Sequence, residues 1–591
     1  MFLHTNSLNL ITFVITILNF MRQQMFLFLW LLIGFTACTS DQKADLIIFN
    51  ANIYTVDTLH PSAEAVAIQN GVILDVGNID DMKKYMKDGS TQLLDAEGHF
   101  LMPGFIEGHG HFSGLGYSLI NLNFLQSKSW ESIVQAVAEK AAHAEAGEWI
   151  VGRGWHQEKW DSIPIQNIHS YPFHFGLSDV SPENPVILFH ASGHSLYANK
   201  KAMDIAGVSK ETPDPMGGEI VRDKDGNAIG VFEERAMRII REKYNEYISN
   251  LDKRKTDSIW YSAIELAQKE CLKNGITSFQ DAGSSFDELD RYEQMAKSGK
   301  LDIRLWAMAR HPADQLEGKV KKYKKTDVGN RFYTCNAIKS EVDGALGAFG
   351  AWLLEDYSDK PGFKGQNTTD IMDVKKIADM ALDAGMQFCV HAIGDRANRV
   401  VLDIYEGVIK AQPNKKDLRW RIEHAQHLNP MDIPRFAQYG IIASMQGIHC
   451  TSDAPFVVKR LGEERAKPGA YAWRSLLDNG VLIANGTDAP VEDVNPLKSF
   501  YASVTRRRED SGLEFYPEQS MTRAEAIYSY TLGNAYAAFE DHYKGSISKG
   551  KVADFVILSR DLTQCADEAI LNTQVHFTIV DGKIKYENKN R

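Results

Sequence analysis

The chain has 591 residues, 44% of them hydrophobic and 24% charged, which places it among globular proteins and makes it long enough for a barrel-sized core with a smaller accessory domain. Its formal net charge of -12 leaves no excess of lysine or arginine to neutralise phosphates. This excludes a nucleic-acid binder and a polybasic membrane surface, and a small molecule is the expected ligand.

Two apolar runs open the chain, at 8–20 and 25–37. Each is short for a membrane span and has the length of a signal-peptide core. Met21-Arg22 offers an alternative start with a positive n-region, and Gly34-Phe35-Thr36-Ala37-Cys38 resembles a bacterial lipoprotein cleavage site. The sequence thus predicts a signal peptide over 1–37, lipid on the Cys38 sulfur and a polar tether over 38–43. The body would then sit in a bacterial cell envelope, in the periplasm or at the outer membrane, touching lipid only through its anchor. A retained N-terminal helix is the alternative. The other five cysteines are widely spaced without a CxxC pair, so they read as core residues and not as a disulfide framework.

Segments 46–56, 65–69 and 71–76 read as strands, with Asn70-Gly71 as a tight hairpin turn because glycine permits positive φ. Segments 553–558, 577–580 and 583–586 near the C-terminus have the same texture. The pattern predicts one small β-sandwich built from both termini, residues 44–104 and 539–591, around a middle that closes on itself over 105–538. There, strand-like segments at 104–106, 276–280, 303–308, 335–340, 387–390, 421–422, 441–445 and 482–484 alternate with helical stretches, the signature of an α/β fold of the (β/α)8 TIM-barrel type. The interval between the first two strands is too long for one helix, so about 123–250 is an insertion, rich in Trp, Gly and Pro, that helps to form the substrate pocket.

His109-Gly110-His111 follows the first barrel strand, and residues at i and i+2 of an extended chain point to the same side, so both imidazoles can reach one metal. A lone HxH is weak evidence. His391, His424 and Asp488, however, follow three other predicted strands, at the C-terminal ends where barrels build their active sites. Each alone is equally a buried polar group or a helix cap; together they point to a metal centre.

These segments, Pro103-Gly104-Phe105-Ile106-Glu107-Gly108-His109-Gly110-His111, Asp343-Gly344-Ala345-Leu346-Gly347, Val390-His391-Ala392-Ile393-Gly394-Asp395, Arg421-Ile422-Glu423-His424-Ala425 and Gly486-Thr487-Asp488-Ala489-Pro490, resemble the amidohydrolase superfamily, in the family 3 branch similar to N-substituted formamide deformylase. The resemblance spans 44–586 and implies one or two divalent metals, zinc above all. His109 and His111 would hold the more buried ion, His391 and His424 the second, and Asp488 would ligate the first and act as the catalytic base. Related enzymes often carry a carboxylated lysine in the fourth strand, which makes Lys339 the candidate N6-carboxylysine; its alternative is an ordinary lysine paired with Glu341.

The chain departs from that family's pattern at Glu107, where Asp is usual, at Ser192, where Asp is usual, and at Gly447, where Pro is usual. Trp155, Trp160, His194, Arg222 and His449 are the candidate substrate contacts, with ordinary packing for the tryptophans and a surface ion pair for Arg222 as alternatives. The implied reaction is hydrolysis of a C–N bond in a small non-peptide amide or formamide. A deaminase or cyclic-amide hydrolase on the same scaffold is the enzymatic alternative, and a non-catalytic solute-binding lipoprotein the alternative outside enzymes. A homodimer is left open.

Overall fold

Eight short strands close around one axis in the computed structural model, which describes residues 43–87 and 89–589. They are β1 (Phe105–Gly110), β2 (Ile276–Ser284), β3 (Arg304–Ala309), β4 (Tyr333–Glu341), β5 (Gln387–Ala392), β6 (Arg421–His424), β7 (Ile442–Gln446) and β8 (Ile483–Gly486). Neighbours pair in parallel and in chain order. The seam between β1 and the end of β8 is held by Asp488 N–H donating to His109 O and His111 N–H donating to Ala489 O, both at 2.7 Å. Each strand overlaps a segment expected from sequence, because an apolar run bounded by turns survives any packing environment. The expected signal peptide and Cys38 lie outside the described residues.

Strand alternation divides the barrel core in two. Ile338, Val390 and Ile422 point outward and pack with Val401 and Tyr405 of the helix Asp395–Ala411. Trp306, Met308, Ala337 and Cys389 point inward and form a separate apolar plug. Above it the buried Arg421 guanidinium sits 5.6 Å from the Trp306 ring. The lumen is therefore filled from below, and only its C-terminal end is open to solvent.

Two further sheets pack on each other at the barrel's side. One has the order Val72–Gly77, Ala65–Gln69, Leu46–Phe49, Gln92–Asp95; the other runs Lys583–Glu587, Val575–Val580, Phe555–Leu558, Phe100–Pro103, Asn52–Tyr54, Ser62–Ala63. Ile48, Val66 and Ile68 of the first meet Leu101, Phe555 and Ile579 of the second in a common core, so both ends of the chain share one sandwich. The Asn70-Gly71 turn has φ of 50° and 75°, the left-handed pair that a two-residue hairpin needs. Buried Arg304, at the start of β3, donates to Asp554 at 2.7 and 3.1 Å and to Asp581 at 3.4 Å, tying the barrel to the sandwich by a charge network.

Between β1 and β2 the chain builds a six-stranded sheet, in the order Gly218–Arg222, Ala228–Glu234, Ser195–Ala198, Val186–His190, Ile150–Trp155, Leu122–Asn123. It carries its own core, in which Trp130, Trp155, Tyr197 and Val231 are buried. The cysteines Cys271, Cys335, Cys389 and Cys450 are free and buried, and Cys565 is free and partly buried.

Candidate metal centre

The metal-ligand candidates converge at the open end of the barrel. Ligand-type atoms of His109, His424 and Asp488 lie within 4.8 Å of one another. The His109 and His424 rings are 4.8 Å apart between centroids, and those of His391 and His424 are 4.5 Å apart. His111 Nε2 is 3.2 Å and His109 Nε2 3.6 Å from Asp488 Oδ1. The tightest group thus takes one histidine from each of the two pairs implied by the family resemblance. The reason is that His109 is fully buried against His424, whereas the His111 side chain is 32% exposed.

The surroundings prepare these rings to act as neutral ligands. His109 Nδ1 donates to the Glu423 carboxylate, which also accepts from Arg421 Nη2 at 3.0 Å and lies 2.7 Å from Arg421 Nε. Glu423, buried yet flanked by Arg421 and His109, is held well below the ordinary carboxylate range, so the proton belongs on His109 Nδ1 and Nε2 keeps its lone pair. His424 Nδ1 donates to Gln446 Oε1 at 2.7 Å, which leaves Nε2 as its free nitrogen. Burial, followed by the charge of Lys339, lowers His109 to about 4; burial and the neighbouring histidines take His391 and His424 well below their ordinary value. Burial pushes Asp488 upward, but the adjacent His111 imidazole and the other histidines around it outweigh that and hold the carboxylate well below its ordinary range. His109 Nε2, His391 Nε2 and Asp488 Oδ1 are buried with no hydrogen-bond partner. Lone pairs left unpaired at such a cost fit a divalent cation.

Lys339, on β4, is buried and lines the same cavity; its Nζ makes one weak contact, 3.4 Å from Ala282 O. Glu341 is not its partner, since that carboxylate takes Arg310. Burial lowers the Lys339 amine from its ordinary value.

The roles of the residues behind these side chains went unread in the sequence. Glu107 accepts from Thr487 N–H at 2.7 Å, Thr487 Oγ1 at 3.0 Å and His109 N–H at 3.3 Å, and burial raises it to about 8. Its longer reach clamps β1 to the turn that bears Asp488. Asp343 accepts backbone N–H groups of Ile393, Gly394 and Trp352 at 2.8–2.9 Å and lies 3.6 Å from His391 Nε2. Glu423 was visible as a carboxylate just before His424, but only barrel closure puts it on His109. The Gly447 N–H donates to Asn485 Oδ1 at 3.0 Å, a bond that proline could not make. Ser192 Oγ lies 2.8 Å from His190 Nδ1 and accepts from His194 N–H at 3.2 Å.

Above the centre lies a cavity of about 1050 Å³ lined by His194, His391, His449, Lys339 and Asp488 among others. His194 Nδ1 pairs with Glu234 at 3.1 Å, and its ring is 5.4 Å from that of His391; His449 Nε2 is 3.9 Å from Asp488 Oδ2. Trp155, Trp160 and Arg222, the other candidate substrate contacts, do not reach this cavity. Trp155 and Trp160 are buried in the insertion's own core, the former donating Nε1–H to Leu188 O at 2.8 Å. Arg222 is spent on the carbonyls of Ser209 at 3.1 Å, Gly226 at 2.9 Å and Thr212 at 2.5 Å.

A parallel eight-stranded barrel with histidines and an aspartate gathered at its C-terminal mouth defines a metal-dependent hydrolase of the TIM-barrel class. More particularly, the chain belongs to the amidohydrolase family, whose model matches residues 92–586. It is 35% identical over 560 residues to Protein LONG AFTER FAR-RED 3 of Arabidopsis thaliana, covering 92% of each chain. It is 28% identical over 564 residues to the N-substituted formamide deformylase of Arthrobacter pascens, covering 92% of this chain and 99% of that one. Among solved structures, an uncharacterized metal-dependent hydrolase from Pyrococcus horikoshii OT3 superposes with a TM-score of 0.71 at 25% identity, over 88% of this chain and 99% of that one.

Proposed function

We propose that this hydrolase cleaves the C–N bond of a small non-peptide amide or formamide. The observation that carries the reading is the set of buried, unpartnered lone pairs on His109, His391 and Asp488 beneath a cavity of about 1050 Å³. Full-length similarity to the formamide deformylase of Arthrobacter pascens supports the choice of bond.

His109, His111, His391, His424 and Asp488 would hold the metal, with zinc the ion best suited to an imidazole and carboxylate donor set. When bound, a divalent cation supplies Lewis acidity and lowers the pKa of water toward about 7. Asp488 takes the proton of the attacking water and returns it to the departing nitrogen, since an amine anion is a very poor leaving group. Glu423 and Gln446 fix the tautomers of His109 and His424. The Lys339 amine, buried and with no carboxylate ion pair among the described residues, would add to CO2 with loss of one proton, giving an anionic carbamate that could serve as an oxygen ligand.

The test is a panel of N-formyl amines, N-acyl amines, lactams and aminated heterocycles presented to zinc-loaded protein. Release of amine and acid from the linear amides is expected, with activity abolished by chelation and restored by zinc. Ammonia release or ring opening alone would assign a deaminase or a cyclic-amide hydrolase instead, and a protein that binds no stoichiometric metal would fit neither.

For the location, we propose lipid anchoring through Cys38 in a bacterial envelope; among the described residues no helix is long and apolar enough to cross a membrane. Cys38→Ala is expected to move the protein from the membrane to the soluble fraction, and persistence at the membrane sinks the anchor.

A further inference from the structure

Most acidic groups in the cavity wall are already matched. Glu492 takes Lys159 Nζ at 3.0 Å and Ser452, Glu341 takes Arg310, and Asp453 accepts from Gln426 at 3.0 Å and Tyr471 at 2.7 Å. Arg153, in the same wall, is different. Its Nη2 donates to Ala191 O at 3.1 Å, its Nη1 has no hydrogen bond, and no ion pair reaches it among the described residues, while the half-buried side chain lines the cavity. Burial lowers the guanidinium to about 10, against the pull of Asp488 and Glu492, so it stays charged at neutral pH. A half-buried cation with no acid to pair with is incompletely solvated, and a ligand anion that reaches it from the cavity recovers part of that cost.

The backbone is shaped to present this side chain. The register of the strand Ile150–Trp155 shifts between Arg153 and Trp155, at Gly154 with φ of 96°, where a Cβ would come within 2.8 Å of Leu125 N. That bulge returns Trp155 to the core that holds Ile150 and leaves Arg153 on the cavity side.

We infer that Arg153 binds a carboxylate of the substrate, so that the preferred class is an N-formyl or N-acyl amine bearing an acid group. The inference rests on the amide-hydrolase reading for the identity of the scissile bond. A planar monoanion matches the guanidinium fork, whereas a dianion would be opposed by the neighbouring Asp488 and Glu492.

The experiment compares N-formyl-leucine with N-formyl-isopentylamine, which lacks only the carboxylate. It measures kcat/KM with the zinc-loaded enzyme and Kd by calorimetry with its Asp488→Asn variant. The wild-type chain is expected to favour the acid about 100-fold, chiefly through KM, the size expected for a shielded charge pair. Arg153→Met should bring that ratio near unity, and Arg153→Lys, which keeps the charge and is the fallback should the methionine variant misfold, should retain part of it. Equal or absent binding of both compounds by the wild-type chain overturns the inference, as does a preference that survives Arg153→Met. Should neither compound turn over while calorimetry still shows an Arg153-dependent preference for the acid, the amide-hydrolase reading fails and the carboxylate site stands.

Discussion

Asp488→Asn is expected to lower kcat by about 10² to 10⁴-fold, the usual contribution of a positioned general base, while the protein stays folded. Asparagine keeps the size of the side chain and tolerates the left-handed backbone that Asp488 adopts, with φ of 57°. It also keeps the Asp488 N–H donating to His109 O across the barrel seam. What it loses is the basic oxygen beside His109 and His111. Single-turnover hydrolysis of the best amide in the panel, together with the urea midpoint, separates the two effects. Wild-type turnover by this variant would remove Asp488 from the role of base, and a large drop in midpoint would make its role structural.

Glu423→Gln carries the largest expected cost in stability, about 3 to 5 kcal/mol, because it removes one member of a buried charge network and leaves the other uncompensated. Glu423 and Arg421 are both fully buried. Without the carboxylate, the Arg421 guanidinium keeps only neutral acceptors: Gln280 Oε1 at 2.5 Å, Gly108 O at 2.7 Å and Ser444 Oγ at 2.7 Å. His109 exchanges its charged acceptor for a neutral amide that can also present a donor, so its tautomer is no longer fixed and zinc affinity should fall about 10 to 100-fold. The urea midpoint with an unchanged m-value reads the first effect and competition against a chelating dye the second. A variant as stable as the parent, with unaltered zinc affinity, would show that the network serves neither purpose.

Apolar runs bounded by turn residues made the barrel strands readable from sequence, since a strand buried on both faces needs such a run wherever it packs. The metal-site candidates were readable through their place at strand ends: Val390-His391, Ile422-Glu423-His424 and Gly486-Thr487-Asp488 all put a ligand-type residue just past an apolar segment. Trp155 was misplaced for a physical reason. It was chosen as an aromatic wall for a substrate, but the register shift at Gly154 turns it into the insertion's own core, the packing alternative, and leaves Arg153 facing the cavity. Arg222, read as a substrate contact or a surface ion pair, is neither, because the fold wraps three backbone carbonyls around it.

By itself the sequence determined which segments become strands and which of them end in a metal-binding residue type, because both are properties of neighbours a few positions apart. Only the tertiary structure decided that Glu423 orients His109, that Glu107 clamps the turn of Asp488, that His109 groups with His424, and that Arg153 has no ion pair among the described residues. Those relations hold between residues distant in the chain, and they exist only once the lumen closes and burial raises the cost of every charge and lone pair left without a partner.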